Sequence, residues 1–325
     1  MLERLLASGP LGANPSWKSA IPRDSGASWD FEDVRDHYLE TLFQLDARKL
    51  RATDPERWVE LGRIATGEAM AHTIAELRRT GSTCRGALVW HLRDLVPGAG
   101  SGVIDASGQP KAAYWFLARA FAPIALFLID EGLNGLRAHA INDTEQTLNA
   151  DLRVSFFRNG QLRIDGAEQS LDLPPRSSVE LSIDALLGRF IDPSYAYRFG
   201  PPSHDVATAT LVDRATGAVL ADAVHFPLGP PAVRRADLEL RGSLLPHPLG
   251  FALTLATTAM AYAVHIEAAG YEPADNYFHL DPAREKRVLL RPTPSSKTAI
   301  TVRVTASNAS TALTLRAEQE ARRSA

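Results

Sequence analysis

Apolar residues recur every three or four positions near the start of the chain, which is the pattern of an amphipathic helix. Val34, Tyr38 and Leu42 form this stripe, and Leu45 continues it. The residues that open the stripe are acidic, which suits the positive end of a helix dipole. The pattern predicts a helix over residues 31–45.

A second and longer apolar stripe follows. Asp54 is suited to cap its N-terminus, Pro55 favours the first helical position, and Gly81 is a typical terminator. The pattern predicts a helix from Pro55 to about residue 79. Its apolar face consists of Trp58, Leu61, Ile64, Ala65, Ala69 and Ile74.

Residues 86–90 form a short apolar run, long enough for one buried strand. A loop rich in proline and glycine follows, and Pro110 opens a predicted helix over residues 111–121. Strand, loop and helix make one βα unit, and ligands bind at the carboxyl end of such strands. The polar side chains at that end are His91, Arg93 and Asp94.

From residue 124 onward, apolar and polar residues alternate in short runs that turn clusters separate, the pattern of an antiparallel β-sandwich. A proline-rich linker at residues 227–231 divides these runs into two blocks. The predicted domains are residues 1–123, 124–229 and 236–318. The predicted strands are 124–129, 152–157, 179–183, 207–212, 219–226, 253–255, 261–266, 287–290 and 300–304.

Composition narrows the classes of function. The chain has 325 residues and a formal net charge of -3, so neither nucleic acid nor an anionic membrane is expected as a partner. No apolar run reaches the roughly 18 residues that cross a bilayer, and the first residues do not have the pattern of a signal peptide, so a cytoplasmic location is favoured. Cys84 is the only cysteine, which excludes an internal disulfide. No cofactor or metal is expected, because the histidines are scattered without zinc-site spacing.

A set of motifs surrounds the predicted βα unit. They are Gly86, Leu88, Trp90, Leu92 and Asp94, then the segment from Ile104 to Lys111, then Tyr114 and Trp115. In this combination they resemble the last βα unit of the catalytic barrel in glycoside hydrolase family 2, in its β-mannosidase branch. Residues 30–38 and 270–280 resemble further segments of that branch. His91, Arg93 and Ser101 stand where the family often has Gln, Asn and Trp.

The resemblance implies an incomplete C-terminal part of a TIM (β/α)8 barrel at residues 1–123, followed by two immunoglobulin-like β-sandwiches. It also implies a retaining glycosidase that removes terminal β-D-mannose, a reaction that needs two carboxylates about 5 Å apart. In the family both are glutamates on earlier barrel strands, and neither motif occurs in this chain. We therefore expect no catalytic residue here and no activity from the chain alone.

The resemblance implies three substrate-binding residues. Trp90 is either a stacking floor for a sugar ring or a buried barrel tryptophan, and Asp94 is either a sugar contact or an acceptor of backbone N–H groups. His91 is either a sugar contact or a packed or surface histidine. Asp105 is either a sugar contact or support for a carboxylate, or, as is favoured, a loop acid that accepts backbone N–H bonds.

A barrel closes only when all its strands are present, so the first domain is expected to be incomplete by itself. The alternatives are a truncated gene product, a separate chain that carries the missing barrel, and helices repacked on the first sandwich. The expected partner of a completed barrel is a β-mannoside or a related oligosaccharide. The alternative function is that of a non-catalytic β-sandwich module that binds carbohydrate or protein.

Overall fold

The structure is a computed structural model that describes residues 21–84, 86–97, 100–189, 191–296 and 299–318. Its residues divide into two compact units. One unit holds the described residues up to 120 except for 79–82, and the other holds residues 79–82 and those from 121 onward.

The first unit is built from helices. Their bounds are α1 Phe31–Phe43, α2 Ala47–Thr53, α3 Pro55–Arg78 and α4 Ala112–Ala120. α1 begins at Asp30, whose carboxylate accepts the backbone N–H groups of Glu32 and Asp33. It ends at Gln44, which adopts the left-handed conformation of a helix C-cap. Asp30 and Gln44 therefore set the two ends of α1.

The three predicted helices are confirmed to within two residues at each end. The short helix α2 was not predicted. Its sequence, ARKLRAT, has 7 residues and is too short to display an apolar stripe. Asp46, which caps it by accepting the backbone N–H of Lys49, was the available signal.

Trp58 of α3 holds three helices of this unit together. Its indole is fully buried, and the guanidinium groups of Arg35 in α1 and Arg51 in α2 lie over the ring, at 4.1 and 4.5 Å from its centroid. Its Nε1 donates to Asp36 Oδ1 at 3.0 Å. The π system and the polar edge of the ring are therefore both engaged.

The predicted buried strand at residues 86–90 is wrong. Leu88 and Trp90 are 97% and 87% exposed, and residues 86–90 belong to no strand among the described residues. The alternation of Leu88, Trp90 and Leu92 is that of a strand, but a strand needs a neighbour to satisfy its backbone N–H and C=O groups. No described segment provides that neighbour, so the run stays open to solvent.

The second unit begins with two antiparallel sheets. Their elements are β1 Ile124–Asp130, the 3₁₀ turn Gly132–Asn134, β2 Leu136–Asn142, β3 Leu148–Arg158, β4 Leu162–Leu173, β5 Ser177–Ser182, α5 Ile183–Leu187, β6 Val206–Asp213 and β7 Val219–His225. The strand order is β1-β2-β5 in one sheet and β4-β3-β6-β7 in the other. Leu152 of β3 lies opposite Gln169 of β4 and Leu211 of β6, which sets the register of the second sheet.

These two sheets enclose one apolar core and so form a β-sandwich. The first sheet contributes Leu126, Leu136, Ala138 and Ala140, and the second contributes Leu148, Leu152, Val154, Phe156, Ala209 and Leu211. Along β3 the buried positions alternate with exposed or half-buried ones up to Phe156. That period of two is the one read from the sequence.

A second sandwich follows in the same unit. Its strands are β8 Leu240–His247, β9 Gly250–Thr257, β10 Ala261–Ala268, β11 Tyr271–Pro273, β12 Phe278–Leu280, β13 Lys286–Pro292, β14 Ala299–Thr305 and β15 Leu313–Glu318. One sheet has the order β12-β10-β14-β15 and the other β11-β13-β9-β8. Their shared core includes Phe251, Leu253, Val264, Phe278, Leu290 and Val302.

Asn276, a polar residue of the motif at residues 270–280, has a structural role. Its side chain is buried, and it accepts the backbone N–H of Ile266 at 2.8 Å and donates to the carbonyl of the same residue at 3.0 Å. The amide thus makes both hydrogen bonds that a neighbouring strand would make to Ile266. This segment of the motif is therefore structural.

The two sandwiches contact each other through apolar and charged groups. Phe157, Val206 and Met260 are buried in one cluster, and the backbone N–H of Met260 donates to the carbonyl of Gly160 at 2.7 Å. Arg284, in the second sandwich, donates to Asp281 Oδ2 at 2.8 Å and pairs with Asp222 of β7. Charge attraction from both acids raises the pKa of Arg284 although burial opposes it.

Every strand predicted from residue 124 onward is present. The strands that were not predicted are β2, β4, β8, β11, β12 and β15. β2 is buried on both faces through alanines and a histidine, and β4 is exposed along much of its length. Neither produces the apolar alternation by which strands are recognised. Among the described helices, none is both long and apolar enough to cross a membrane.

Candidate functional site

The candidate site is the loop between residues 90 and 111. Its two ends are joined by backbone hydrogen bonds: the N–H of Asp94 donates to the carbonyl of Ile104, and the N–H of Ile104 donates to the carbonyl of Leu92, both at 2.9 Å. Further along, the N–H of Lys111 donates to the carbonyl of Val103. These bonds hold both ends of the loop beside one another.

Asp94 is the buried centre of this loop. Its Oδ1 accepts the backbone N–H of Gly102 at 2.7 Å, and its Oδ2 lies 2.5 Å from Lys111 Nζ. Lys111 Nζ also donates to the carbonyl of Gly100 at 2.9 Å. Both oxygens of Asp94 are therefore engaged within the loop, and its carboxylate is neutralised by one cation.

Two glycines make room for the Asp94 carboxylate. A Cβ on Gly100 would lie 2.2 Å from Asp94 Oδ1, and a Cβ on Gly102 would lie 2.6 Å from the backbone nitrogen of Asp94. Real Cβ atoms do not approach other atoms so closely. The glycines that the sequence indicated as breakers are thus required by the close approach of backbone and carboxylate.

Replacing Gly102 with alanine is expected to destabilise this loop by about 1–3 kcal/mol, because the new methyl group collides with the backbone of Asp94. The matched control is Gly86→Ala, since a Cβ at Gly86 meets no atom within 4 Å. Hydrogen exchange at the backbone amide of residue 102, followed in both variants and the wild type, would measure the effect. Equal protection in the two variants would contradict the packing described.

His91 and Ser101 contact each other. The Ser101 hydroxyl lies 2.7 Å from His91 Nδ1, and both residues are exposed. These are two of the three positions at which the chain departs from the pattern that it resembles. The departures therefore form one hydrogen-bonded pair at the loop surface.

Trp90 lies next to this pair. Its ring meets that of His91 edge to face, with 6.2 Å between centroids. Because the indole is largely exposed, the alternative of a buried barrel tryptophan does not hold in this structure. Trp90, His91 and Ser101 present an aromatic face beside two polar groups, which is a surface suited to contact a ligand.

Asp105 accepts hydrogen bonds within its own turn, as expected. Its Oδ1 accepts the backbone N–H groups of Ser107 and Gln109, each at 2.9 Å, and the Ser107 hydroxyl at 2.6 Å. Partial burial would raise the pKa of Asp105, but these hydrogen bonds outweigh it and lower the pKa. Asp105 is thus an ionised turn residue.

The arrangement lacks the features of a hydrolytic pair. Asp94 is in an ion pair and Asp105 is an ionised acceptor of backbone N–H bonds, so neither is poised to donate a proton to a leaving group. Within the described ranges, no group of three His, Cys, Asp or Glu side chains is placed to hold a metal ion. The carboxylates of Asp94 and Asp105 are thus both occupied by contacts within the loop.

Two side-chain contacts in this loop could not be predicted from the sequence. The partner of Asp94 is Lys111, 17 positions further along, and the partner of His91 is Ser101. Lys111 was part of the recognised motif but carried no assigned role. No local pattern connects these pairs, because the path of the loop brings them together.

The chain was compared with known proteins. No family model matches it. It is 23% identical over 182 residues to β-mannosidase B of Aspergillus niger, which covers 50% of this chain and 22% of that protein. It is 25% identical over 224 residues to β-mannosidase B of Aspergillus clavatus, which covers 66% of this chain and 26% of that protein.

Solved structures show the same fold. The β-D-mannosidase of Dictyoglomus thermophilum matches 85% of this chain and 32% of its own, with a TM-score of 0.68 and 17% identity. An exo-chitosanase of Amycolatopsis orientalis matches 95% of this chain and 40% of its own, with a TM-score of 0.68 and 14% identity. At these identities the likeness concerns the fold.

The chain is similar to the β-mannosidases of glycoside hydrolase family 2. The resemblance that the motifs predicted is therefore confirmed, at low identity. This β-mannosidase-like chain spans about a quarter of the length of the two fungal relatives. Its sheet-rich second unit matches the sandwich domains of such enzymes.

Proposed function

We propose that this chain is the C-terminal part of a retaining glycosidase that hydrolyses terminal, non-reducing β-D-mannosides. In this proposal residues 1–123 belong to the end of a TIM barrel, and residues 124–229 and 236–318 are two immunoglobulin-like domains. The observation that carries the proposal is the open, strand-like run Leu88, Trp90 and Leu92 in a chain similar to β-mannosidases.

The open run supports the proposal that this segment pairs as a barrel strand only when the neighbouring strands of the barrel are present. Alternating large apolar side chains at full exposure are unusual in a soluble protein and mark a surface that something covers. In a closed barrel, strands on both sides would supply the missing backbone hydrogen bonds. The same strands would shield the alternate side chains that point into the barrel.

The strand orders support the immunoglobulin-like assignment. In the first sandwich the pairing β1-β2-β5 against β4-β3-β6-β7 places the third, sixth and seventh strands side by side, as Greek-key sandwiches do. In the second sandwich β8, β9 and β13 pair in one sheet and β10, β14 and β15 in the other, which repeats that pattern.

In the completed site Trp90 stacks on a sugar ring, and His91, oriented by Ser101, binds a sugar hydroxyl. Asp94 acts together with Lys111, because its carboxylate is already engaged with that cation. Asp94 therefore contributes to substrate binding indirectly, because its contacts with Gly102 and Lys111 hold the loop in place. Replacing Trp90 in an active enzyme should raise KM more than it lowers kcat.

We assign neither the catalytic acid nor the nucleophile to any Asp or Glu of this chain. The two acids of the loop serve as acceptors, and the glutamate motifs of the family do not occur in the sequence. We propose that they lie on a preceding part of the same protein or on a separate chain. The substrate and the activity belong to that whole assembly.

The test is hydrolysis of a nitrophenyl β-D-mannoside. We expect no turnover from the 325-residue chain alone, since in this proposal the paired carboxylates are supplied by the missing part of the barrel. The DNA upstream of Met1 is expected to encode a continuation with the two glutamate motifs, or a neighbouring gene to encode the missing barrel, and adding that part should produce turnover. Robust hydrolysis by the chain alone would contradict this assignment.

A further inference from the structure

A loop of the first sandwich, residues 191–205, is held rigidly by one carboxylate. Asp192 accepts the backbone N–H groups of Ala196 at 2.8 Å, Tyr197 at 2.9 Å and Arg198 at 3.3 Å. Three donors on one carboxylate fix the path of the backbone between them. Tyr195 and Arg198 adopt left-handed backbone conformations, which non-glycine residues keep only when their surroundings enforce them.

A buried histidine holds the far end of the same loop. His204 donates from Nε2 to the carbonyl of Pro193 at 3.0 Å, and the Ser203 hydroxyl lies 2.9 Å from its Nδ1. Its ring packs against Phe156 of the sandwich core, with 4.7 Å between centroids. Burial lowers the pKa of His204, so the neutral ring that makes these contacts predominates at neutral pH. The loop is therefore tied to the core at both ends.

This rigid loop presents two aromatic rings to solvent. Phe199 is 81% exposed and Tyr197 is 39% exposed, and their rings stack with 5.8 Å between centroids and an angle of 24°. The Tyr197 hydroxyl donates to the carbonyl of Leu133, whose own side chain is exposed as well. The stack is thus an ordered surface feature.

Arg198 lies between these two rings in the sequence and is also exposed. Among the described residues its guanidinium forms no ion pair or side-chain hydrogen bond. Arg198 thus offers an exposed cation with several N–H donors on the same short segment as the two stacked rings. It is suited to a ligand that has an apolar face and hydroxyl groups at its rim.

We propose that Phe199, Tyr197 and Arg198 form an accessory binding site for a β-linked oligosaccharide. The C–H face of a pyranose ring packs against the exposed face of Phe199, and Arg198 donates to the sugar hydroxyls. The class of ligand rests on the proposed glycosidase function, while the platform, by which we mean the surface of Tyr197, Arg198 and Phe199, rests on the loop geometry. The site lies on the first sandwich and contains none of the residues of the 90–111 loop.

The test is affinity electrophoresis of the whole chain in gels that contain soluble β-mannan, with soluble chitosan and β-glucan as separate arms. Mannan should retard the wild-type chain. Phe199→Ala should weaken the interaction by at least ~5-fold, since one aromatic contact is lost. Arg198→Ala should weaken it less, and Phe199→Trp should preserve it. The matched control is Leu162→Ala, because Leu162 is another exposed apolar side chain of the same sandwich.

The outcomes of this experiment test the accessory site separately from the proposed glycosidase activity. Retardation by chitosan or β-glucan but not by mannan, sensitive to Phe199→Ala, would support the platform and contradict the preference for mannose. No retardation by any of the three, or equal retardation of the wild type and Phe199→Ala, would overturn the platform and leave the hydrolysis test unaffected. Concentration-dependent self-association that Phe199→Ala abolishes would also overturn it, because the face would then bind a second copy.

Discussion

Replacing Arg284 with methionine is expected to lower the free energy of unfolding by about 3–5 kcal/mol, because it removes the cation at the contact between the two sandwiches. Arg284 pairs with Asp281 and with Asp222, and its side chain is largely buried. The variant would keep the buried carboxylate of Asp281 without the guanidinium that neutralises it. Methionine retains most of the arginine stem, so the loss of packing is small.

The matched control is Arg303→Met. Arg303 pairs with Glu267 at 3.2 Å, but both side chains are more than half exposed, so this pair contributes about 0–1 kcal/mol. Urea unfolding of both variants and the wild type would measure the difference. Equal effects at both positions would show that the contact between the sandwiches contributes little.

Replacing Trp58 with alanine is expected to destabilise the helical unit by about 3–5 kcal/mol. The indole is fully buried, and its loss would leave a cavity between α1, α2 and α3. The substitution would also remove the ring over which the guanidinium groups of Arg35 and Arg51 both pack. Asp36, whose pKa burial raises, would lose its hydrogen bond from Nε1.

Trp90→Ala provides the control for this variant, since Trp90 is the same residue type at 87% exposure. Its free energy of unfolding should remain within about 0.5 kcal/mol of the wild type. Far-ultraviolet circular dichroism during urea unfolding follows the helices directly and does not depend on the tryptophan removed. A large loss of stability in Trp90→Ala would mean that the open run is covered in solution.

The contrast between these tryptophans also bears on function. Trp58 is buried under two guanidinium groups, whereas Trp90 is exposed beside His91 and Ser101. An exposed tryptophan on a loop held by the Asp94–Lys111 pair has the character of a binding residue. The loop around Asp94 is consequently the part of this chain that we expect to meet a substrate.

Much of the secondary structure could be predicted from the sequence. The helix that begins at Pro55 and the strand around Leu152 have strong periodicity and clear end signals, and both are present within a few residues. β2 was missed because alanine and histidine at buried positions carry little hydrophobic contrast. The run at residues 86–90 was misjudged because its pattern describes a strand, while pairing depends on a neighbour elsewhere.

The candidate site was predictable in part. Trp90, His91 and Asp94 follow from the motif, and Asp105 follows from the tendency of a loop acid to accept nearby backbone N–H groups. The contacts of Asp94 with Lys111 and Gly102 did not follow from it. They arise because the loop folds back on itself, and residues far apart in the chain then share one small volume.

The sequence by itself determined the helices α1, α3 and α4, most strands and the similarity to β-mannosidases, because periodicity, caps and motifs are local properties of the chain. Only the tertiary structure decided that Trp90 is open, that Asp94 is neutralised by Lys111, and that Phe199 stacks on Tyr197 at the surface. The physical reason is that exposure, ion pairing and ring stacking depend on which distant segments the folded backbone brings together.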